Sequence, residues 1–216
     1  MKPVRLRYQT LVFGEQDIHI CTLRDRQQYH DPDGVADGLG ISSAAWPIFG
    51  VIWPSSLVLA EFVDTYDTGT KRILEVGCGM ALPSLLLSAK GADITATDCH
   101  PEAELFLARN TAINESQRIA FERTDWADGN DRLGLFDMII GSDLLYEDRH
   151  TDLLAVFIAA HAKTACEVIV VDPGRGRKSK LAAALQKFGF SCSYQKLPDA
   201  GARDHVGHIL KFERAD

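Results

Sequence analysis

The five cysteines, Cys21, Cys78, Cys99, Cys166 and Cys192, include no C-x-x-C pair and are odd in number. That spacing writes neither a zinc ribbon nor a disulfide scaffold, and reduced thiols in a cytoplasmic protein are expected. No apolar run approaches the ~20 residues that span a bilayer. Met1 to Tyr8 carries charge with no apolar segment behind it, so no signal peptide is expected. Positive charge is scarce: 23 Lys and Arg stand against 30 Asp and Glu, a net charge of −7. A surface that tracks phosphates needs the opposite excess, which disfavours nucleic acid as a partner. The local exception is the stretch with Arg175, Arg177, Lys178 and Lys180. An acidic surface better suits a basic or small-molecule partner. The seven histidines show no metal-ligand spacing, and His205 and His208 fall on opposite faces of a strand, so no metal is expected. Neither repeats nor low-complexity linkers interrupt the chain.

What is present is one α/β pattern. Residues 4–23 read as a β-hairpin, with Arg5–Phe13 and Ile18–Leu23 flanking a turn at Gly14 to Asp17. Asp31 to Ser43 has loop chemistry and is a candidate lid. Pro54 suits a helix start. From Lys71 short apolar strands alternate with helices. Strands are expected at Ile73–Val76, Ala92–Thr97, Ile119–Arg123, Phe136–Ile140 and Val168–Val171, then at Phe190–Leu197 and His205–Phe212. Helices are expected at Leu82–Lys90, Pro101–Glu115, Asp148–His161 and Ser179–Phe188. In the second of these, Leu105, Ala108, Ala112 and Ile113 form the expected apolar stripe. This alternation predicts a Rossmann-like, seven-stranded, mostly parallel sheet with helices on both faces. The last strand has no helix before it and should run antiparallel. Residues 1–45 then form a hairpin-and-loop extension, and residues 46–216 the main domain.

In an open parallel sheet ligands sit beyond the carboxyl ends of the strands. Those exits are Glu75 to Gly79, Asp98, Asp125 to Trp126, Asp143 to Tyr146, and Asp172 to Arg175, and every one carries an acidic residue. At the first, Gly77 and Gly79 permit a tight turn and close backbone approach. The third glycine of a dinucleotide fingerprint is missing, Pro83 removes an N–H from the following helix, and Glu75 adds negative charge. These features disfavour a pyrophosphate and suit a cationic ligand with an amino acid moiety. Asp98, about 20 residues beyond the glycines, stands where a carboxylate takes ribose hydroxyls; it is equally placed to cap the next helix.

The segment Glu75-Val76-Gly77-Cys78-Gly79-Met80-Ala81-Leu82-Pro83 resembles the first motif of class I, seven-strand methyltransferases. More narrowly it is similar to the lysine methyltransferase group called methyltransferase family 16. Ile52-Trp53-Pro54-Ser55-Ser56-Leu57-Val58-Leu59-Ala60 resembles that group's tryptophan-bearing segment, and Asp143-Leu144-Leu145-Tyr146 its Asp-x-x-Tyr motif. Asp172-Pro173-Gly174-Arg175 resembles the branch that includes the electron-transfer-flavoprotein β-subunit lysine methyltransferase, though the first motif departs from that branch. The resemblance runs from about Trp46 to Arg175. It implies S-adenosylmethionine as cofactor. Glu75, Gly77, Cys78 and Gly79 would line its methionine part, Asp98 its ribose, and Asp125 with Trp126 its adenine; Trp53 and Asp143 would lie beside it. Asp143 and Tyr146 would form the catalytic pair facing the substrate.

The chemistry asks for little else. Methyl transfer from a sulfonium is an in-line displacement in which the protein supplies alignment. A carboxylate at Asp143 favours an ammonium, so its expected role is capture and orientation of the amine. An aromatic ring at Tyr146 or Trp53 would hold a methylated cation on its π face. Arg175, past the fifth core strand, is placed to bind a substrate carboxylate or to pair with Asp172. The expected activity is N-methylation of a protein lysine. A small-amine methyltransferase and a non-catalytic nucleoside-binding protein are the alternatives; an NAD-dependent dehydrogenase is disfavoured by the missing glycine.

Overall fold

The computed structural model describes residues 4–26, 28, 34–38, 41, 46–127, 129, 132–146, 148–197 and 207–215. The chain opens with strands β1 (Leu6–Phe13) and β2 (Gln16–Leu23), paired antiparallel. Phe13 faces Gln16, so the turn is the two residues Gly14 and Glu15, with Gly14 at φ 53°. This is tighter than the expected four-residue turn, because Gln16 and Asp17 continue the ladder. A single helical turn α1 (Val35–Gly38) and a 3-10 turn (Trp46–Ile48) lead to helix α2 (Pro54–Thr65), which begins at its proline. Of the expected Asp31–Ser43 loop, only residues 34–38 and 41 are described, and the lid reading lies outside them, as does His205.

From there strands and helices alternate: β3 (Arg72–Val76), α3 (Leu82–Ala89), β4 (Asp93–Asp98), α4 (Ala103–Ile113), β5 (Ala120–Arg123), β6 (Phe136–Ser142), α5 (Asp148–His161), β7 (Ala162–Asp172), α6 (Lys178–Gln186), β8 (Ser191–Lys196) and β9 (His208–Arg214). Seven strands form one sheet in the order β5-β4-β3-β6-β7-β9-β8. The strands from β5 to β7 pair parallel, and β9 inserts antiparallel between β7 and β8. The chain winds outward from β3 through β4 to β5, then returns to β3's other side as β6. The switch point therefore lies between the carboxyl ends of β3 and β6, where a crevice opens.

Each sheet face is covered by its own core, which is why the central strands are apolar on both sides. Ile73, Ile94, Ala96, Met138 and Ile140 pack with Leu59 of α2, Leu85 and Leu86 of α3, Phe106 of α4 and the hairpin's Ile18 and Ile20. Leu74, Val76, Ile139, Val168 and Val170 pack on the other face with Leu154 and Ile158 of α5 and Leu181 and Leu185 of α6. Strand β8, at the edge, is exposed along its whole length. Among the described residues no helix is long and apolar enough to cross a membrane.

Helix α4 corrects the expected stripe. Leu105 is 56% exposed, while Ala103, Phe106, Leu107, Asn110 and Thr111 are buried. The face is turned by two asparagines. Asn110 Oδ1 accepts from Cys21 N at 2.7 Å and Asn110 Nδ2 donates to Cys21 O at 3.3 Å. Asn114 does the same with His19, at 2.8 and 2.6 Å. Asparagines four apart on a helix thus match residues two apart on β2, and the hairpin docks by backbone pairing that no apolar period encodes.

Candidate active site

The turn after β3 is built from left-handed backbone: Gly77 at φ 61°, Gly79 at φ 53° and Ala81 at φ 55°. It is pinned by Cys78 N donating to Thr97 O at 2.9 Å and Ala81 N to Cys78 O at 2.7 Å. A Cβ on Gly77 would fall 2.6 Å from Leu144 Cδ2, so packing as well as φ requires glycine there. A Cβ on Gly79 would meet nothing within 4 Å. That open face is where a ligand has room to approach the backbone. Cys78 is itself buried, and burial pushes its thiol well above the ordinary range.

Helix α3 has no side-chain cap of its own at Ala81. Glu75, one strand residue before Val76, supplies one from below. Its Oε2 accepts from Ser84 N at 3.0 Å and from the Ser84 hydroxyl. Glu75 is 1% exposed. Burial outweighs the two Ser84 hydrogen bonds and pushes its carboxyl up to about 8. Its side chain is therefore turned into the root of α3, beneath the glycine turn.

Asp98, half-buried at the end of β4, accepts from Gly79 N at 2.8 Å on one oxygen and from His100 N at 2.8 Å on the other. Burial raises its carboxyl above the usual range, with those backbone bonds opposing. It thus ties the second strand exit to the glycine turn. His100 follows, stacked on Phe49 at 3.8 Å between ring centroids and tilted against Trp46 at 4.4 Å. Burial pushes its imidazole down to about 4. At the β5 exit Asp125 Oδ1 accepts from Ala127 N at 3.0 Å. The half-buried Trp126 ring reaches within 3.8 Å of the place a Gly77 Cβ would take.

Across the switch point, Asp143 leaves β6 with φ 56°, its N–H donating to Val171 O at 2.8 Å. Its side chain is 6% exposed and meets Arg175: Nε donates to Oδ1 at 2.7 Å. The guanidinium lies over the Tyr146 ring, 4.4 Å from its centroid. The pairing found is with Asp143 and not with the expected Asp172. Asp172, fully buried, instead turns Oδ2 back to accept from Gly174 N at 3.0 Å. Burial and the Asp143 charge hold the Tyr146 phenol above its ordinary range, so it is a neutral donor.

The structure therefore gathers Gly77, Cys78, Gly79, Asp98 and Trp126 on one side of the switch point, and Asp143, Tyr146 and Arg175 on the other. Leu144 against Gly77 joins the two. Trp53 sits at the entry to α2, its ring under Arg26 at 5.1 Å. Sequence reasoning missed Ser84 and His100. The first carries no motif signal; the second, following Asp98-Cys99, was legible only as a polar residue next to a strand exit.

Residues 42–182 match a family model described as lysine methyltransferase. A protein-lysine methyltransferase of Bos taurus is 33% identical over 109 residues, covering 44% of this chain and 37% of that protein. The electron transfer flavoprotein beta subunit lysine methyltransferase of Rattus norvegicus is 24% identical over 165 residues, covering 74% of this chain and 63% of that protein. Among solved structures, a magnesium protoporphyrin IX methyltransferase of Synechocystis with bound S-adenosylmethionine superposes with a TM-score of 0.58 at 19% identity, over 74% of this chain and 78% of that one. The chain spans under half the length of the Bos taurus relative and of three others like it.

Proposed function

The chain belongs to the lysine methyltransferase family, whose model its residues 42–182 match, and we propose that it transfers the methyl group of S-adenosylmethionine to a lysine side chain of a protein. One observation carries the reading. The glycine turn, open at Gly79 and tied to Asp98, faces Asp143 and Tyr146 across a single switch point.

The residues fit that cofactor. Asp98 and Asp143 make the crevice acidic, which suits a sulfonium and opposes a pyrophosphate. Gly77, Cys78 and Gly79 offer backbone to the methionine part, and Asp98, steadied by two N–H donors, keeps lone pairs for ribose hydroxyls. Asp125 and Trp126 would flank the adenine, and Trp53 would lie alongside. Glu75 acts through Ser84, holding the first turn of α3 in place. When bound, the cofactor supplies an electrophilic methyl group, and the protein supplies alignment. A lysine of pKa about 10.4 arrives charged. Asp143 draws and orients that cation, Tyr146 offers it a ring face, and exclusion of water favours the neutral amine that reacts. A protein partner rather than nucleic acid fits the net charge of −7. All five cysteines are free thiols, which suits a reducing compartment such as the cytoplasm.

Calorimetric titration with S-adenosylhomocysteine, and separately with NAD, tests the cofactor. Only the homocysteine product should bind; silence from both ligands sinks the reading. Radiolabelled methyl transfer in lysate, split by gel filtration, tests the acceptor. Label on protein lysine is expected, and label confined to the small-molecule fraction would move the substrate to a small amine.

A further inference from the structure

We propose that Arg175 is an internal occupant of the acceptor site, a cation of the chain's own that an incoming substrate cation must displace. The inference rests on the reading of Asp143 and Tyr146 as acceptor-binding residues. What an alkylammonium needs at that corner is a carboxylate oxygen and an aromatic face. Arg175 uses both: Nε reaches Asp143 Oδ1 at 2.7 Å, and its guanidinium carbon lies 4.4 Å from the Tyr146 centroid. The Asp143 side chain is 6% exposed and that of Arg175 34%, so the arginine lies outermost and covers the carboxylate.

The segment that carries it leaves room around the side chain. Arg175 stands between Gly174 at φ 89° and Gly176 at φ 82°, and a Cβ on either would meet nothing within 4 Å. The stem is fixed on one side by Asp172 holding Gly174 N, and on the other by Arg177 donating to the carbonyls of Leu145 and Arg175. Those ties hold the backbone and leave the Arg175 side chain with the ion pair and the ring contact. The pair runs through Nε to one oxygen, not through the bidentate fork that makes arginine–carboxylate contacts strong. Swinging Arg175 into solvent exchanges one cation for another at Asp143 and breaks no packed core. The occupied state lowers apparent acceptor affinity according to the fraction of molecules left open, and a partner offering a cation plus further contacts overcomes it more readily than a lone cation.

The test uses the full chain saturated with S-adenosylhomocysteine and n-butyltrimethylammonium as the cation probe, titrated by calorimetry. Arg175→Ala should bind the probe about tenfold more tightly than wild type, about 1.4 kcal/mol. Arg175→Lys, which keeps charge but loses the planar group, should fall between, and it carries the comparison should the alanine variant not fold. Adding Asp143→Asn to Arg175→Ala should abolish the gain. Equal or weaker probe binding by Arg175→Ala, at unchanged homocysteine-product affinity, overturns the proposal and leaves the cofactor reading standing. Failure of wild type to bind the homocysteine product overturns both.

Discussion

Glu75 offers a test in which two opposing effects can be separated by pH. Its carboxyl is 1% exposed and accepts two hydrogen bonds from Ser84. Burial favours the neutral acid, and the hydrogen bonds favour the carboxylate; burial prevails, lifting the group from 4.5 to about 8. Between those values the unfolded chain has released a proton that the folded chain keeps. The contribution of Glu75 to stability is then complete below pH 4.5. It declines by about 1.4 kcal/mol per pH unit as pH rises, and levels off above the folded value. At pH 7 the accumulated cost is about 3 kcal/mol.

Glu75→Gln removes the titration while keeping a carbonyl oxygen for Ser84. It also brings an NH2 group into a closed place, and an unmet donor costs roughly 1–3 kcal/mol whatever the pH. The diagnostic is therefore the slope, not the offset. Urea unfolding of both proteins at pH 5, 6, 7 and 8, without ligand, gives the stability difference directly, with the other titrating groups cancelling. The variant should gain about 1.4 kcal/mol on wild type for each pH unit. A flat difference would mean that Glu75 is ionised in the fold, with Ser84 winning over burial, and the reasoning would fail.

Asp98→Ala should weaken S-adenosylhomocysteine binding roughly 10- to 100-fold, as expected for lost charge-assisted hydrogen bonds, whereas Asp143→Ala should abolish turnover and leave that affinity nearly intact; calorimetry with methyl-transfer kinetics reads both. Collapse of cofactor affinity in Asp143→Ala would place that residue in the cofactor site instead. His100, lowered from 6.5 to about 4, contributes stability that is present above pH 6.5 and lost as pH falls through 4, up to about 3 kcal/mol. His100→Phe keeps the stack on Phe49 and should flatten that acid limb in melting curves between pH 4 and 7. Asn110→Ala strands the N–H and C=O of Cys21 and should cost about 2–4 kcal/mol in urea unfolding; a loss under 1 kcal/mol would mean the hairpin docks by its apolar face alone.

The parts legible in the sequence are those set by local chemistry. Val168 to Val171 reads as a doubly covered strand because both of its faces are buried, and the acidic residues at the strand exits mark the crevice because parallel strands end there. The illegible parts depend on a distant partner. The α4 face is set by Asn110 and Asn114 against a hairpin some 90 residues earlier. Strand β7 begins at Ala162, directly after α5 ends at His161, with no glycine or proline to announce the change. Arg175 reads in the sequence as a neighbour of Asp172, but it meets Asp143, because Asp172 caps its own turn. The Glu75 side chain, read as a charge in the crevice, lies beneath it, because residues 73 and 75 share the face that α3 covers.

Among the described residues, three other than glycine hold positive φ: Ala81, Glu115 and Asp143. Glu115 ends α4 with an exposed side chain, an ordinary helix stop. The other two frame the switch point from either side, where strain held by the surroundings is a mark of pre-organisation. Ala81 separates the cases. Replacing it with glycine relieves roughly 1–2 kcal/mol of left-handed strain. Against that stand a buried methyl group worth about 0.8 kcal/mol and a more disordered unfolded chain worth about 0.4–1 kcal/mol. Net stability should move by less than about 1 kcal/mol. The turn would then carry glycine at 77, 79 and 81, and its freedom must be frozen on binding. Ala81→Gly should therefore bind S-adenosylhomocysteine several-fold more weakly at almost unchanged stability. A variant that is distinctly more stable and binds as wild type would show that the strain at Ala81 serves no ligand.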